Sequence, residues 1–598
     1  MVKDVIWTQP AEDDLENIYN YYKKETSEVF AHELKIKILD AVDILLLPNI
    51  ETSKIGQIEK TILAWPGIFS GKNAFKVDKL PFAIATKPAT EIDKVDGIGK
   101  SIAAKIIELL ETGTIQELET LISQTPTGII EMLAIKGIGP KKIGIIWHDL
   151  QIESVGELYY ACNENRLIEA KGFGLKTQEE IKKVLEFRMA ANGKFLYAQA
   201  EPIIKDLQEK LTVWLRQADM LALFGVAGDY RRACEIIDEA VLIIGTESPD
   251  LLISLVSTFE LGFIDDGTNI LTVQTPEGLN VKLFVVPTNN FYLEYFKLTG
   301  SEAHVNQVLA LAGDHAFHSE EDIYEKAGLD FVLPELREGL DEIELAKKHQ
   351  LPVLIADKDL KGSLHNHSDW SDGVHTLEDM ALYCRDVLKL EYLGICDHSK
   401  SAFYANGLNE QRVYAQHQQI NELNQKLAPF KIFKGIESDI LYDGSLDYSD
   451  DILKTFDFVV ASVHSQLKMT EEKATERLIT AIENPYTTIL GHPTGRLLLS
   501  RKGYDVDFKK VIDACAANNV VIEINANPLR LDLDWRWHRY ALEKGVILSV
   551  NPDAHRKEGF LDMHYGVLVG RKGGLTAEKC LNAFSLQQIS DFFTSKRS

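Results

Sequence analysis

HNHSDWSDG, residues 365–373, is the stretch on which the reading of this chain turns. His365 and His367 stand two apart, so on a strand both side chains leave the same face. Asp372 follows them in the loop. The run that contains the pair, GSLHNH (362–367), is the first of seven apolar runs of strand type. The others are YLGICDH (392–398), KIFKGIE (431–437), FDFVVASVH (456–464), TTILGHP (487–493), VVIEINA (520–526) and VILSVNPDAH (546–555). Helical stretches separate them, which predicts βα units wound into a parallel (β/α)7 barrel over residues 361–598. Chemistry in such barrels gathers at the C-terminal ends of the strands. There the runs place His398, Glu437, His464, His492, Asp553 and His555, and only the run with Glu523, Asn525 and Asn527 ends without an obvious ligand.

Ten of the sixteen histidines lie beyond residue 361. An isolated histidine is more often a packed or surface residue, which is how His375, His417, His538 and His564 are read. Six histidines, two aspartates and one glutamate on one topological edge are different in kind. Nine N/O ligands exceed the coordination of one ion, so two or three divalent ions are expected. The absence of thiolates favours Mn²⁺, Zn²⁺ or Fe²⁺ over copper, and Mg²⁺ alone suits so many imidazoles poorly. Clustered ions lower the pKa of a shared water, grip a phosphate and stabilise the leaving oxygen. Hydrolysis of a phosphate ester is the natural reaction, with no catalytic side chain needed beyond the ligands. Arg496, and more weakly Arg501, in GHPTGRLLLSR (491–501) are candidates to fork two phosphate oxygens.

Toward the N-terminus a short motif recurs three times: KVDGIGKSIAAKI (94–106), AIKGIGPKKIGII (134–146) and EAKGFGLKTQEEI (169–181). The glycine pairs Gly97/Gly99, Gly137/Gly139 and Gly172/Gly174 permit a tight turn between helices. They also expose the next helix's N-terminal amides to a phosphate, with Lys100, Lys141 and Lys176 as nearby point charges. This is the pattern of helix-hairpin-helix DNA binding. Residues 91–190 hold 12 Lys and Arg against 16 Asp and Glu, so the grip must be local, amide-led and independent of base sequence.

The net charge of −26 over 598 residues argues against coating nucleic acid by bulk electrostatics. No run is long and apolar enough to span a membrane, and the start, MVKDVIWTQPAEDD, lacks a signal-type apolar core. Six cysteines without CxxC spacing fit the reduced cytoplasm.

HNHSDWSDG, DHS, GIESDIL, SVHSQL, GHPTGRLL, EINANPLRLDL and PDAH together resemble the successive motifs of a PHP (polymerase and histidinol phosphatase) domain. More closely, the order of hairpin repeats, nucleotidyltransferase-like palm and thumb, and PHP barrel resembles the bacterial family X DNA polymerases across about 90–598. The resemblance implies a trinuclear metal centre on the nine residues named, with manganese-dependent 3′–5′ exonuclease and related 3′-end processing. In the palm it brings a departure. The family runs Gly-Ser-x-Arg-Arg-x-x-Glu-Thr into an Asp-x-Asp pair, with a third Asp on a later strand. In GDYRRACEIIDEAVLI (228–243), Gly228, Arg231 and Arg232 match, but Asp229 replaces the serine and the pair falls on Glu239 and Val241. The third carboxylate falls on Lys282. Two-metal polymerisation needs those carboxylates, so the palm is expected to be inactive and to serve DNA binding.

The expected organisation is multidomain, α/β and α+β: an N-terminal segment 1–65 resembling a ParE/RelE-type toxin, a hairpin region 66–190, palm and thumb 191–335, a linker 336–360, and the barrel 361–598. The expected function is a DNA-repair enzyme trimming 3′ ends by metal-dependent phosphodiester hydrolysis. The alternatives are a still active template-directed polymerase, a histidinol-phosphatase-like small-molecule phosphatase and a binding scaffold. Sequence leaves open the protein partners and the role of 1–65.

Overall fold

The computed structural model describes Glu91, Lys94 and the chain from Lys100 to Arg597, with short breaks at 113, 134, 136–137, 169, 171, 191–192, 221, 257–258, 260 and 266–268. The toxin-like segment 1–65, and the hairpin glycines Gly97, Gly99 and Gly137, lie outside the described residues. The chain divides into two compact units at Leu133/Ala134. In the first, the described helices are Lys100–Thr112, Gln116–Gln124 and Thr127–Leu133.

In the second unit, after the short helices Pro140–Gly144 and Ile145–Asp149, the helices Val155–Asn163 and Leu175–Ala190 pack together. Ser154 starts the former by a reciprocal cap: its Oγ accepts from the Glu157 N–H while the Glu157 carboxylate accepts from the Ser154 N–H. Two otherwise orphaned amides are thereby satisfied. The short strands β1 (Phe195–Leu196) and β3 (Ile236–Ile237) pair antiparallel. Around them lies a five-stranded mixed sheet in the order β2 (Ala222–Ala227), β4 (Glu239–Thr246), β7 (Asn280–Pro287), β6 (Ile270–Gln274), β5 (Ile264–Asp265). Its centre, β4 beside β7, is parallel. Strand β4 is a nearly unbroken apolar run because it is buried on both faces. The helices from Phe291 to Ala327 follow, with Phe296, Val308, Ile323 and Tyr324 as their core.

Beyond residue 361 every strand pairing between named strands is parallel. β8 (Gly362–Ser363), β9 (Tyr392–Ile395) and β10 (Lys431–Lys434) form one sheet. β11 (Glu437–Asp439), β12 (Val460–Ser462), β13 (Ile489–Leu490), β14 (Val521–Asn525) and β15 (Leu548–Asn551) form the other. Parallel bridges His398↔Glu437 and Asn366↔Ala554 join the two sheets at both edges and close the ring. The seven runs of the sequence are thus its seven staves, with one refinement: KIFKGIE breaks into β10 and β11. Gly435 sits at the break, where a Cβ would stand 2.6 Å from both the Ile395 carbonyl and Cys396 Sγ. Only glycine lets the chain turn there against β9.

Strand starts supply Tyr392, Phe433, Phe458, Ile489 and Val521 to a core plugged by Phe593 from the C-terminal helix Leu586–Lys596. The Phe458 and Phe593 rings stack at 4.9 Å with 7° between planes. This plug leaves the opposite mouth free for chemistry. Phe458→Ala is expected to cost about 3–5 kcal/mol through lost transfer energy and a cavity, read as a lowered urea midpoint. A loss below about 1 kcal/mol would show that the plug does not hold the ring closed.

Candidate metal centre

The free mouth of the ring gathers the histidines. Just after β8, His365 and His367 point inward while Asn366, between them, turns the other way and donates to Ser363 Oγ and the Gly394 carbonyl. The His367 N–H donates to the Ala554 carbonyl at 2.9 Å, which ties this loop to the last one. Asp553 takes a left-handed backbone conformation, φ +55°. That is uncommon for a residue with a Cβ and is characteristic of sites where surrounding structure dictates geometry.

Glu437 stands at the centre, 1% exposed. Its Oε1 lies 3.2 Å from His365 Nε2, 3.2 Å from His464 Nε2 and 3.0 Å from His492 Nε2. Its Oε2 lies 3.0 Å from His398 Nδ1 and 3.6 Å from His367 Nε2. Asp553 Oδ1 approaches His367 Nε2 at 2.9 Å, and Asp372 Oδ2 approaches His398 and His555 at 3.5 and 3.4 Å. Three overlapping groups have donor atoms close enough to share an ion: His367, Asp372, His398 and His555; His365, His367 and Asp553; His398, Glu437 and His464. The ninth predicted residue, His492, belongs to none of these groups and reaches the centre through Glu437.

Several inward atoms have no hydrogen-bond partner, although all are buried: His365 Nε2, His367 Nδ1, Asp372 Oδ2, both His398 nitrogens, Glu437 Oε2, His492 Nδ1 and His555 Nε2. Orphaned buried polar atoms are costly, and here they converge. An all N/O donor set of this kind fits divalent ions. The electrostatics are those of tightly packed opposite charges. Burial opposes charge on His365 and His398, yet neighbouring carboxylates outweigh it and raise both pKa values. For His367, burial first and then the His555 and His398 charges push the pKa down to about 3. Glu437, Asp372 and Asp553 all stay well below the usual carboxylate range, because surrounding imidazoles overcome burial.

A supporting layer was missed in the sequence. Glu523, fully buried in β14, meets His365 Nδ1 at 2.7 Å and so aims Nε2 into the centre. It also accepts from the His492 N–H and from Asn525 and Asn551. Asp439 does the same for His464 Nδ1 at 2.5 Å. Asp397 accepts from Ser368, Ser371 and Gln416, fixing the loop that bears Asp372. Such partners orient ligands and set their basicity. The signal available was a glutamate inside the apolar run VVIEINA, a position that only a buried partner can justify.

The two arginines expected to hold phosphate have partners within the chain. Arg496 donates to the Arg530 and Leu531 carbonyls and to Asp534. Arg501 donates to Glu157 at 2.5 Å and to the Gly495 carbonyl. Both guanidiniums are engaged by contacts that hold loops: Arg496 satisfies carbonyls of the turn at 530–531, and Arg501 satisfies one carbonyl of its own loop.

The hairpin residues that are described lie at the surface, with Lys100, Lys141 and Lys176 exposed. Gly172 has φ +90°, and Gly174 precedes the helix Leu175–Ala190 with no atom near where its Cβ would be. Gly139 caps the five-residue helix Pro140–Gly144. In the sheet, Gly228 has φ +69° and a Cβ there would press on Val241 at 2.9 Å. Glu239 and Lys282 form an ion pair at 2.7 Å. Arg231 is engaged by Glu320 and Thr299, and Arg232 by Asp229 and Glu338.

Similarities to known proteins bear on this geometry. Residues 129–186 match the family model described as "SAM-like Helix-hairpin-helix tandem". The chain is 33% identical over 553 residues to "DNA polymerase/3'-5' exonuclease PolX" of Bacillus subtilis, covering 87% of this chain and 96% of that protein. It is 29% identical over 185 residues to a "Probable phosphatase" of Thermoanaerobacter sp. (strain X514), covering 29% of this chain and 73% of the other. A "Probable phosphatase" of Caldanaerobacter subterraneus is 36% identical over 105 residues, 17% of this chain and 39% of its own.

Glu523→Gln keeps the volume but loses the charge that orients His365. It is expected to weaken divalent-ion binding about 10–100-fold, checked by equilibrium dialysis against Mn²⁺. Unchanged affinity would remove Glu523 from the centre's support.

Proposed function

The chain belongs to the family of the PolX DNA polymerase/3′–5′ exonuclease, and from that premise we propose that it is a cytoplasmic DNA-repair enzyme that trims 3′ ends at the histidine centre. The observation that supports this most is the convergence of unpartnered, buried donor atoms from five of the seven staves on three overlapping groups of ligand type. The nine residues His365, His367, Asp372, His398, Glu437, His464, His492, Asp553 and His555 would hold two or three divalent ions, with Mn²⁺ first among the candidates because the set is imidazole and carboxylate. When bound, such ions supply charge neutralisation and activation of the attacking water.

The chain's own residues hold the rest of the reaction. Glu523 and Asp439 fix the ring tautomers of His365 and His464. The water oxygen joins phosphorus, the P–O3′ bond breaks, and the departing 3′ oxygen takes the proton. A 5′-mononucleotide leaves and the strand ends again in a 3′ hydroxyl. The hairpins would bind the DNA backbone without reading bases, through amides and the exposed Lys100, Lys141 and Lys176.

The palm is proposed to be inactive in synthesis. Lys282 places a cation on the carboxylate Glu239, and Val241 offers no ligand atom. Arg231 and Arg232 are already neutralised by carboxylates, so an incoming triphosphate would have to displace them. Asp229 adds a repelling charge beside that phosphate path. What remains is a sheet and thumb that position DNA.

A 5′-labelled primer annealed to a longer template, incubated with Mn²⁺ with and without the four deoxynucleotides, tests both proposals. Shortening in both lanes is expected, and His365→Ala is expected to abolish it while DNA binding survives. Lengthening when nucleotides are present would overturn the inactive palm. An unchanged primer in both lanes would overturn the exonuclease.

A further inference from the structure

The hairpin segment does not stand apart from the hydrolytic ring. Ser154 Oγ lies 3.0 Å from Ser500 Oγ, and Glu157 pairs with Arg501. Gly156 packs so closely that a Cβ would meet Ser500 Cβ at 2.1 Å. Tyr160, Leu196, Leu497 and Leu529 share a small core, and Arg530 donates from its Nε to Tyr160 Oη at 2.7 Å. The Arg556 guanidinium donates to the Asn163 carbonyl. The helix Val155–Asn163 is therefore seated on the loops that bear the metal-site residues.

The turn after this helix delivers Arg166. Its Nη2 lies 2.7 Å from Glu164 Oε2, yet that oxygen has no hydrogen bond of acceptable geometry, and neither does Arg166 Nε. Its guanidinium lies over the Tyr404 ring at 4.7 Å, and that ring lies 6.1 Å from the ring of His398. The Tyr404 hydroxyl and Arg530 Nη1 are likewise buried and unpartnered. Burial disfavours charge on Arg166, but Glu164, then Tyr404, Asp372 and Asp553, keep it protonated. Two of those four are residues of the histidine centre. Beside them a cavity of about 360 Å³ is lined by Asn163, Glu164 and Lys182 on one side and Asp553, His555 and Arg556 on the other. That volume lies within the range of small-ligand sites.

We infer that Arg166 grips the scissile phosphate of a DNA 3′ end beside the histidine centre, so that the hairpin segment forms one wall of the hydrolytic site. A guanidinium fork matches two non-bridging phosphate oxygens, a geometry that a partly exposed arginine beside the centre, with only Glu164 against its Nη2 and with Nε unbonded, can supply. Tyr404 holds the plane of the fork from below by stacking. The cavity between Lys182 and Asp553 receives the terminal nucleoside. This inference rests on the phosphodiesterase proposal, and it assigns to Arg166 the role that sequence gave to Arg496 and Arg501.

The test uses the full chain loaded with Mn²⁺, as wild type, Arg166→Ala and Arg166→Lys. Calorimetry with deoxythymidine 5′-monophosphate reads binding, a labelled oligonucleotide reads KM and kcat, and metal analysis reads the centre itself. Arg166→Ala is expected to weaken nucleotide binding and raise KM about tenfold or more, with the manganese content unchanged. Arg166→Lys, which keeps the charge and loses the fork, is expected to recover only part. If the wild type degrades DNA and Arg166→Ala matches it in nucleotide binding and KM, the inference is overturned while the exonuclease stands. Loss of manganese from Arg166→Ala would also overturn it, by making Arg166 a support of the centre. A wild type that binds the nucleotide but leaves DNA intact would overturn the underlying exonuclease.

Discussion

Five imidazoles converge on the one carboxylate of Glu437, at 3.0 to 3.6 Å, with the whole set buried. Removing such groups from water costs several kcal/mol per charge unless each is paired. The ring exists in a form that meets this demand. Its staves bring residues from positions 365 to 555 within one another's reach, and each stave end is held by ladder bonds on both sides. The apolar plug of Phe458 and Phe593 at the opposite mouth leaves the polar residues a single place to gather.

The same constraint extends outward. Glu523, Asp439 and Asp397 have no contact with solvent to speak of and exist in the core only because histidines, serines and amides satisfy them. They make the centre rigid before any ion or substrate arrives, which is what preorganised electrostatic catalysis requires. The helix Val155–Asn163 then covers one side of the mouth. The mixed sheet contributes differently: Arg231, Arg232 and Lys282 are each paired with a carboxylate of its own surroundings.

Much of this was legible in the chain. Spacing two in HNH and in DAH declared strand faces, and the apolar runs gave the staves in order. The break of KIFKGIE at Gly435 was not legible, since it follows from the crowding of Cys396 and the Ile395 carbonyl across the ladder. Where Arg496 and Arg501 end was not legible, because proximity in sequence to His492 says nothing about where a long, flexible side chain ends. Their guanidiniums turn to carbonyls of the loop at 495 and 530–531 and to Asp534 and Glu157. Arg166 carried no local signal at all, standing in ACNENRLIEA in the turn that follows a helix.

Sequence by itself determined the kind of donor atoms, their number, and the face of each strand from which they leave, because side-chain alternation and residue chemistry are local properties. Tertiary structure decided which donors share a group, that His492 reaches the centre through Glu437, and that Glu523 and Asp439 stand behind His365 and His464. It alone brought Arg166 beside Asp372 and Asp553, across some two hundred residues of chain in one case and nearly four hundred in the other. The reason is physical: contacts between distant segments are set by ring closure and core packing, and neither is encoded in any short stretch of the chain.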